Sequence, residues 1–355
     1  MSEDIIEEFL SNYNTPASRS TYKTQLNKFF KYIEINPNEY FNKKRDYRED
    51  VNHYWGYIKD FPPKSRTTAL SVIKMFLIEH EIEFPTIFWR KKIRRAKGKG
   101  AITQDKIPTP SELKQMLQHC KSIQSKAFFL TLASSGMRVG EAISLTLDDI
   151  DLDKTPARIN IPANITKSGE KRVVFVTNEA KDVLEQYLKV RDEILAIAIT
   201  KSGYHEKKAE DDRLFPFSYS NAVTMWNNLI RNAKKNERDK ETKGGKSRYK
   251  YHIHCLRKFF RSRMGNKNGI GVDMTEFLMG HEGYLTREYR NYTEEELGIE
   301  YMKGADRLLI FEQQADTSDI REQLREKDRQ IQELKDQMQM LMAKVLTQDD
   351  KESKE

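Results

Sequence analysis

The 355-residue chain has only two cysteines, Cys120 and Cys255. So few thiols exclude a disulfide scaffold and a Cys-rich zinc site, and they fit a reducing, cytoplasmic setting. Long apolar runs are lacking too. None reaches the ~18 residues that a membrane-spanning helix needs, and mean hydropathy is −0.78. Residues Met1 to Asp4 open acidic with no apolar stretch behind them, so no signal peptide is expected. No repeat of 20–50 residues is visible. The scattered histidines and two cysteines offer no ligand set, so no metal and no cofactor is expected.

What the chain has in quantity is charge. A third of the residues are charged, the net charge is +8 and the pI is about 9.1. Residues 312–355 hold 12 acids against 8 Lys and Arg, a net of −4, which leaves +12 on residues 1–311. Two basic clusters stand out. Arg90 to Lys99 carries seven positive charges and no acid, and Arg231 to Lys250 carries nine positive charges and three negative. A basic excess suggests an anionic partner, although a charge run alone also describes a solvated face. The first cluster falls where a linker is expected and can lie along a phosphate backbone through Arg90, Lys91, Lys92, Arg94, Arg95, Lys97 and Lys99.

The length allows two or three domains. Residues 1–95 read as all helical. Tyr22, Leu26, Phe29, Phe30 and Ile33 fall at helical spacing, and after Pro62-Pro63, Ser65 can cap a helix carrying Leu70, Ile73, Phe76 and Leu77. Gly98 and Gly100 mark a basic linker over 96–107. A second domain, 108–310, opens on Thr109-Pro110-Ser111-Glu112, a capping box with Pro at the first helical position. Phe128 to Ser135 reads as a buried helix. Arg158–Ile161 and Arg172–Val176 are β-rich and flank Lys167-Ser168-Gly169-Glu170, which predicts a hairpin with Lys167 at its turn. Helices follow over 178–200 and 219–233, then a polar, mobile loop over 234–250, then more helices to about 310. The fold class is therefore mainly α with a small antiparallel β hairpin. Residues 317–346 are a separate object. With Leu324, Ile331, Met338 and Val345 at a, and Ile320, Lys327, Leu334 and Leu341 at d, seven of eight seam positions are apolar. That pattern predicts a C-terminal coiled coil or a docked amphipathic helix.

Four short segments hold residues suited to chemistry. Arg138 follows an apolar helix end and Gly136, with Glu141 three residues on. Lys167 sits in the hairpin turn. His254 and Arg257, spaced i and i+3, share one side of a helix. Gly280-His281 is followed by Tyr284, Tyr289 and Tyr292. Taken singly each has a plain reading: an i,i+3 ion pair, an exposed lysine, a core histidine, packed tyrosines.

Together and in this order they resemble the tyrosine recombinase family, the phage-type integrases and Xer-like enzymes. The matching features are Arg138 with Glu141, Lys167, His254 with Arg257, Gly280-His281 and a tyrosine shortly after. Leu214-Phe215-Pro216 and Trp226 look like a further family segment, and Met279-Gly280-His281 with Thr293 to Leu297 looks most like the archaeal branch. The resemblance covers roughly residues 10–305. It implies a helical core-binding domain that clamps DNA and a mostly helical catalytic domain.

The activity it implies is site-specific recombination of double-stranded DNA. A tyrosine attacks phosphorus and keeps the bond as a 3′-phosphotyrosine, without metal or ATP. Arg138 and Arg257 would hold the phosphate, because paired guanidinium forks match its charge and planarity. Lys167 would protonate the leaving 5′-oxygen, His254 would assist proton transfer, and His281 would donate to the phosphate. Glu141 would orient Arg138. The nucleophile is Tyr289, eight residues after His281, with Tyr292 as second choice. A homotetramer on DNA, self-association through the C-terminal helix and a nucleoid-associated location are further expectations. Two other readings stay open: a non-catalytic architectural protein, and a type IB topoisomerase.

Overall fold

The computed structural model describes residues 4–42, 44–98, 105–201, 210–239, 247–266, 269–281 and 292–311, together with 327, 329 and 330. They divide into two compact units, one formed by Met1–Lys106 with Asn236–His252, the other by Ile107–Lys235 with Ile253–Glu355. The heptad segment, Lys99, Tyr284 and Tyr289 lie outside the described residues, but for Lys327, Arg329 and Gln330 of the former.

The first unit is helical: α1 (Ile5–Ser11), α2 (Pro16–Ile33), α3 (Tyr47–Ile58), α4 (Pro63–Glu79) and α5 (Thr86–Lys97). Leu26, Phe29 and Phe30 recur at three- and four-residue spacing on α2 and are all buried, facing Tyr54 of α3 and Phe76 of α4. The rings meet edge-on, with Phe29–Tyr54 centroids 5.2 Å apart and Phe30–Phe76 centroids 5.6 Å apart. Each buried aromatic contributes roughly 1.5–3 kcal/mol through its area, and the edge contacts add ~0.5–1.5 kcal/mol per pair. Helix α4 begins at Pro63 with Pro62 at the N-cap, so Ser65 is not the cap. The ring fixes φ at a helical value and lacks only an N–H that a first turn leaves unpaired anyway.

The first basic cluster is not a linker. Arg90–Lys97 forms most of α5, which runs into the stretch expected to be connecting chain. Trp89, Ile93 and Ala96 fall at i, i+4 and i+7 and pack on the core. Arg90, Lys91, Arg94, Arg95 and Lys97 fill the exposed remainder. Lys92 is half-buried, its ammonium 4.9 Å from the Phe88 ring centroid, and burial with the charges of Arg95 and Arg48 lowers its pKa.

The segment expected to be a loop over 234–250 is also different. Residues 236–239 and 247–250 pair as a short antiparallel ribbon, with Asp239 N donating to Arg248 O (2.8 Å) and Lys250 N to Glu237 O (2.9 Å). Lys106 N bonds to Lys250 O (3.1 Å), and Lys106 Nζ pairs with Glu237 (2.6 Å). The charges that suggested mobility are partly spent on these ion pairs.

The second unit contains α6 (Pro110–Leu117), α7 (Ile123–Ser135), α8 (Val139–Ala142), α9 (Asn178–Leu188), α10 (Arg191–Lys201), α11 (Tyr219–Asn232), α12 (Cys255–Met264), α13 (Val272–Leu278) and α14 (Glu294–Ala305). A three-stranded antiparallel sheet, β1 (Ile150–Asp151), β2 (Arg158–Ile161) and β3 (Arg172–Phe175), follows α8 in the chain. The hairpin expected around Lys167 is β2–β3, with Ile159 opposite Val174 and Ile161 opposite Arg172. The capping box at Thr109 forms as expected: Thr109 N donates to Glu112 Oε2 (3.0 Å) and Glu112 N to Thr109 Oγ1 (3.2 Å). Helix α7 is buried on every side, from Phe128 and Phe129 to Ser135, and α9 and α12 pack along it. It is the spine from which the site is built.

Candidate active site

Helix α7 ends on Gly136, whose φ of +65° turns the chain while its N–H bonds back to Leu132 O (3.1 Å). Glycine tolerates this left-handed conformation, and here it also leaves room. A Cβ at residue 136 would lie 2.3 Å from the Phe260 ring of α12. Two residues later Arg138 caps α8. Its own N–H donates to Glu141 Oε2 (2.8 Å) and its Nη1 to Glu141 Oε1 (2.7 Å). The expected i,i+3 pair is therefore made, but not as a surface pair: Glu141 is 2% exposed.

Arg257, on the first turn of α12, is 3% exposed. Its Nη1 donates to Gly136 O and its Nη2 to Met279 O (2.7 Å). Arg138 Nη2 approaches Gly280 O (3.3 Å). Each guanidinium thus ties the turn after α7 to the turn after α13, fixing both turns and both forks. Burial, then the neighbouring charges of Arg138 and Arg172, push the Arg257 pKa down to about 9 against the opposing pull of Glu141 and Glu276. An anion entering beside these groups relieves that penalty.

His281 follows Gly280, which sits at φ +67°. Its Nδ1 is held by Glu276, the carboxylate that Arg261 also grips, and its N–H bonds to Glu276 O (3.0 Å). A carboxylate on Nδ1 fixes the ring's orientation and favours the tautomer that keeps Nε2 for another partner. Burial raises the Glu276 pKa, but the His281 and Arg261 bonds outweigh it and hold the group below its ordinary value.

Lys167 lies exposed in the connection between β2 and β3. The following residues, Ser168 to Arg172, line a cleft of about 930 Å³ whose other walls include Gly280, His281 and Tyr292. Tyr292 is 40% exposed and directly precedes Thr293, the cap of α14. His254 is the exposed N-cap of α12, with helical φ and ψ of −67° and −11°, and Arg257, three residues on, is buried.

One residue at the centre was not singled out from sequence. Arg172 grips Glu141 with both terminal nitrogens, Nη2–Oε2 at 2.6 Å and Nη1–Oε1 at 3.2 Å. Burial alone would raise the Glu141 pKa, but Arg172 and Arg138 hold it below the usual carboxylate value. The signal was alternation: Arg172 shares a strand face with Val174, which is buried, and a basic residue in that register calls for an anionic partner. Glu276 is a second such residue, spaced five before His281.

Comparison with known proteins gives the same outline. The sequence model of the phage integrase family matches residues 107–296, more than half of the chain. Among curated relatives, tyrosine recombinase XerA of Saccharolobus solfataricus is 26% identical over 293 residues, covering 80% of this chain and 85% of the relative. Tyrosine recombinase XerD of Vibrio cholerae is 23% identical over 318 residues, covering 81% and 90%. Among solved structures, the Tn1549 transposon integrase in complex with transposon right end DNA superposes with a TM-score of 0.57 at 12% identity, covering 84% of this chain and 98% of that one. A lambda integrase dimer bound to a core site gives a TM-score of 0.54 at 15% identity, covering 81% and 76%. The mainly helical catalytic fold with its small antiparallel sheet is shared with these structures, and the chain belongs to the phage integrase family.

Proposed function

We propose that the protein is a site-specific tyrosine recombinase that cuts and rejoins double-stranded DNA through a covalent 3′-phosphotyrosyl intermediate. The observation that carries the reading is the paired, interlaced guanidiniums of Arg138 and Arg257 beside His281, in a chain that matches the family over 107–296. Arg138 and Arg257 hold the non-bridging oxygens of the scissile phosphate, where charge builds as phosphorus becomes five-coordinate. Preorganised donors of this kind are worth about 10²–10³ in rate each. With Nδ1–H on Glu276, His281 donates from Nε2 to the same phosphate only when both ring nitrogens carry hydrogen, and His254 assists proton transfer.

The nucleophile is Tyr289, with Tyr292 the alternative. Its phenolic oxygen, its proton taken up with the help of His254, bonds to phosphorus as the P–O5′ bond breaks, and Lys167 gives the departing oxygen its proton. A second 5′-hydroxyl reverses the step, so the phosphotyrosine ester conserves the bond and no ATP is consumed. Glu141 orients Arg138. The helical first unit clamps DNA, with the exposed basic face of α5 on the phosphate backbone, and four protomers assemble on two duplexes. The heptad segment brings protomers together in the cytoplasm, on the nucleoid. An unchanged oligomer distribution in solution after deletion of 317–355 refutes that last role.

The test is a nicked suicide duplex, which lets the 5′ fragment diffuse away and traps the ester. Wild-type protein should accumulate a covalent 3′ adduct. Tyr289→Phe should abolish it while DNA binding persists. Loss in Tyr292→Phe with an unchanged adduct in Tyr289→Phe moves the nucleophile to Tyr292. Binding without any adduct from wild-type protein refutes the catalytic reading.

A further inference from the structure

We propose that Arg172 is a positioning residue of the reaction: it clamps Glu141 so that Glu141 aims Arg138, and it keeps the Lys167 hairpin in register with the arginine turn. The inference rests on the recombinase reading above.

A carboxylate has about four acceptor sites. At Glu141 four donors occupy them: the backbone N–H and Nη1 of Arg138, and Nη1 and Nη2 of Arg172. Arg138 is bound to the carboxylate through its own backbone as well as its side chain, so the orientation of Glu141 sets the orientation of the Arg138 fork. Without Arg172, half of the donors are gone and a buried carboxylate is free to turn. The bidentate grip is what stops that rotation, and a lysine's single ammonium cannot reproduce it.

The same guanidinium packs against the second anchor of Arg138. A Cβ on Gly280 would come within 2.8 Å of Arg172 Cζ and Nε and 2.9 Å of its Cδ. Gly280 O is the acceptor for Arg138 Nη2. Arg172 therefore lies against both groups that hold Arg138. Turning its fork onto Glu141 has a cost: its Nε is buried with no hydrogen-bond partner among the described residues. A side chain serving only to finish a strand end has no reason to accept that cost.

Arg172 is also the first residue of β3, opposite Ile161, and five residues after Lys167. Strand register is propagated residue by residue, so anchoring Arg172 to the α8 turn anchors the near leg of the hairpin that carries the acid. One salt-bridged pair thus links three segments that the reaction needs together: the arginine turn, the lysine hairpin and the Gly-His turn.

The experiment measures single-turnover adduct formation on the suicide duplex for wild type, Arg172→Gln, Arg172→Lys, Glu141→Gln and the Glu141→Gln/Arg172→Gln double variant. DNA affinity and thermal unfolding are followed in parallel. Arg172→Gln should slow the adduct by about 10–100-fold with DNA affinity within about 3-fold of wild type, less than the roughly 10²–10³ lost when a donor is removed outright. Because Arg172 acts through Glu141, the double variant should be no more than about 3-fold slower than Glu141→Gln alone. Multiplying losses would mean that Arg172 acts on DNA by itself, and that overturns the proposal. Should Arg172→Gln not unfold cooperatively, Arg172→Lys decides: it keeps the charge over Glu141 but not the fork, and about 10-fold slower cleavage is expected. A wild-type rate in Arg172→Lys overturns the proposal. Failure of wild-type protein to form any adduct is a different result, which removes the recombinase reading itself.

Discussion

The turn after α7 allows a quantitative test of how Arg138 and Arg257, the arginines proposed to hold phosphate, are supported. In Gly136→Ala the new methyl must occupy a point 2.3 Å from Phe260 Cδ1 and 2.6 Å from its Cγ, both far inside contact distance. Phe260 is 1% exposed and has no solvent to retreat into. Forcing a methylene into a filled core costs ~1–3 kcal/mol, and a non-glycine residue at the observed φ of +65° adds ~1–2 kcal/mol. A central value of about 3 kcal/mol lowers the melting temperature of a unit of this size by roughly 6–12 °C. Gly140, four residues on, is the control. A Cβ there meets nothing within 4 Å and its φ is ordinary for a helix. Gly140→Ala should therefore be neutral or up to ~1 kcal/mol more stable, by the helix preference of alanine. Thermal unfolding followed by circular dichroism separates the two. Since Gly136 O accepts from Arg257, the Gly136→Ala protein that remains folded should also form the covalent adduct more slowly. Gly136→Ala melting within about 1 °C of wild type would refute both the packing argument and the idea that this glycine is a fixed support.

Two further outcomes are expected. The lowered Glu141 pKa means that its pairing stabilises the fold fully above the ordinary carboxylate value of about 4.3 and that this contribution drains away as pH falls through the lower folded value. Glu141→Gln should accordingly lose less stability than wild type between neutral pH and pH of about 3, read from melting curves, and parallel losses would contradict the assignment. Replacing Arg90, Lys91, Arg94, Arg95 and Lys97 of α5 with glutamine should weaken binding to all DNA sequences alike and flatten the dependence on salt by about 0.9 in slope per phosphate contact removed. An unchanged slope would make that face plain solvated surface.

Much of the architecture was legible because local chemistry and packing agree. The capping box at Thr109, the apolar run of α7 and the β-rich strands either side of Lys167 each have one sensible conformation. The reading failed where charge hid packing. The Arg90–Lys99 cluster looked like linker because seven cations crowd ten residues, yet Trp89, Ile93 and Ala96 supply a narrow apolar stripe that is enough to seat a helix. The ribbon at 236–239 and 247–250 was missed because its stabilising partners, Asp105 and Lys106, lie 143 and 131 residues away from Arg248 and Glu237 in the chain. Arg138, Arg257 and His281 were found by resemblance to the family's ordered motifs, which says nothing of how they are held. The groups that hold them, directly or, for Arg172, through Glu141, come from four separate segments: Gly136–Glu141, Arg172, Glu276 and Met279–Gly280. No local pattern in a single sequence brings these together.

The charge balance at the centre explains why such bracing is needed. Arg138, Arg172 and Arg257 gather around one buried carboxylate, Glu141, while Glu276 is taken up by His281 and Arg261. Three guanidiniums against one anion is an unfavourable arrangement for a folded protein alone; burial first, then the charges of Arg138 and Arg172, lower the Arg257 pKa. Left to themselves, the forks would relax toward solvent. The interlaced bonds to backbone carbonyls at 136, 279 and 280 prevent that relaxation, because carbonyl dipoles do not move with a rotamer. The excess positive charge is thereby kept fixed until an anion arrives. Stabilisation of that kind grows as the bound group gains charge, so it acts more strongly on a five-coordinate phosphorane than on the ground-state diester. A centre neutralised by a second carboxylate would be more stable and a weaker catalyst.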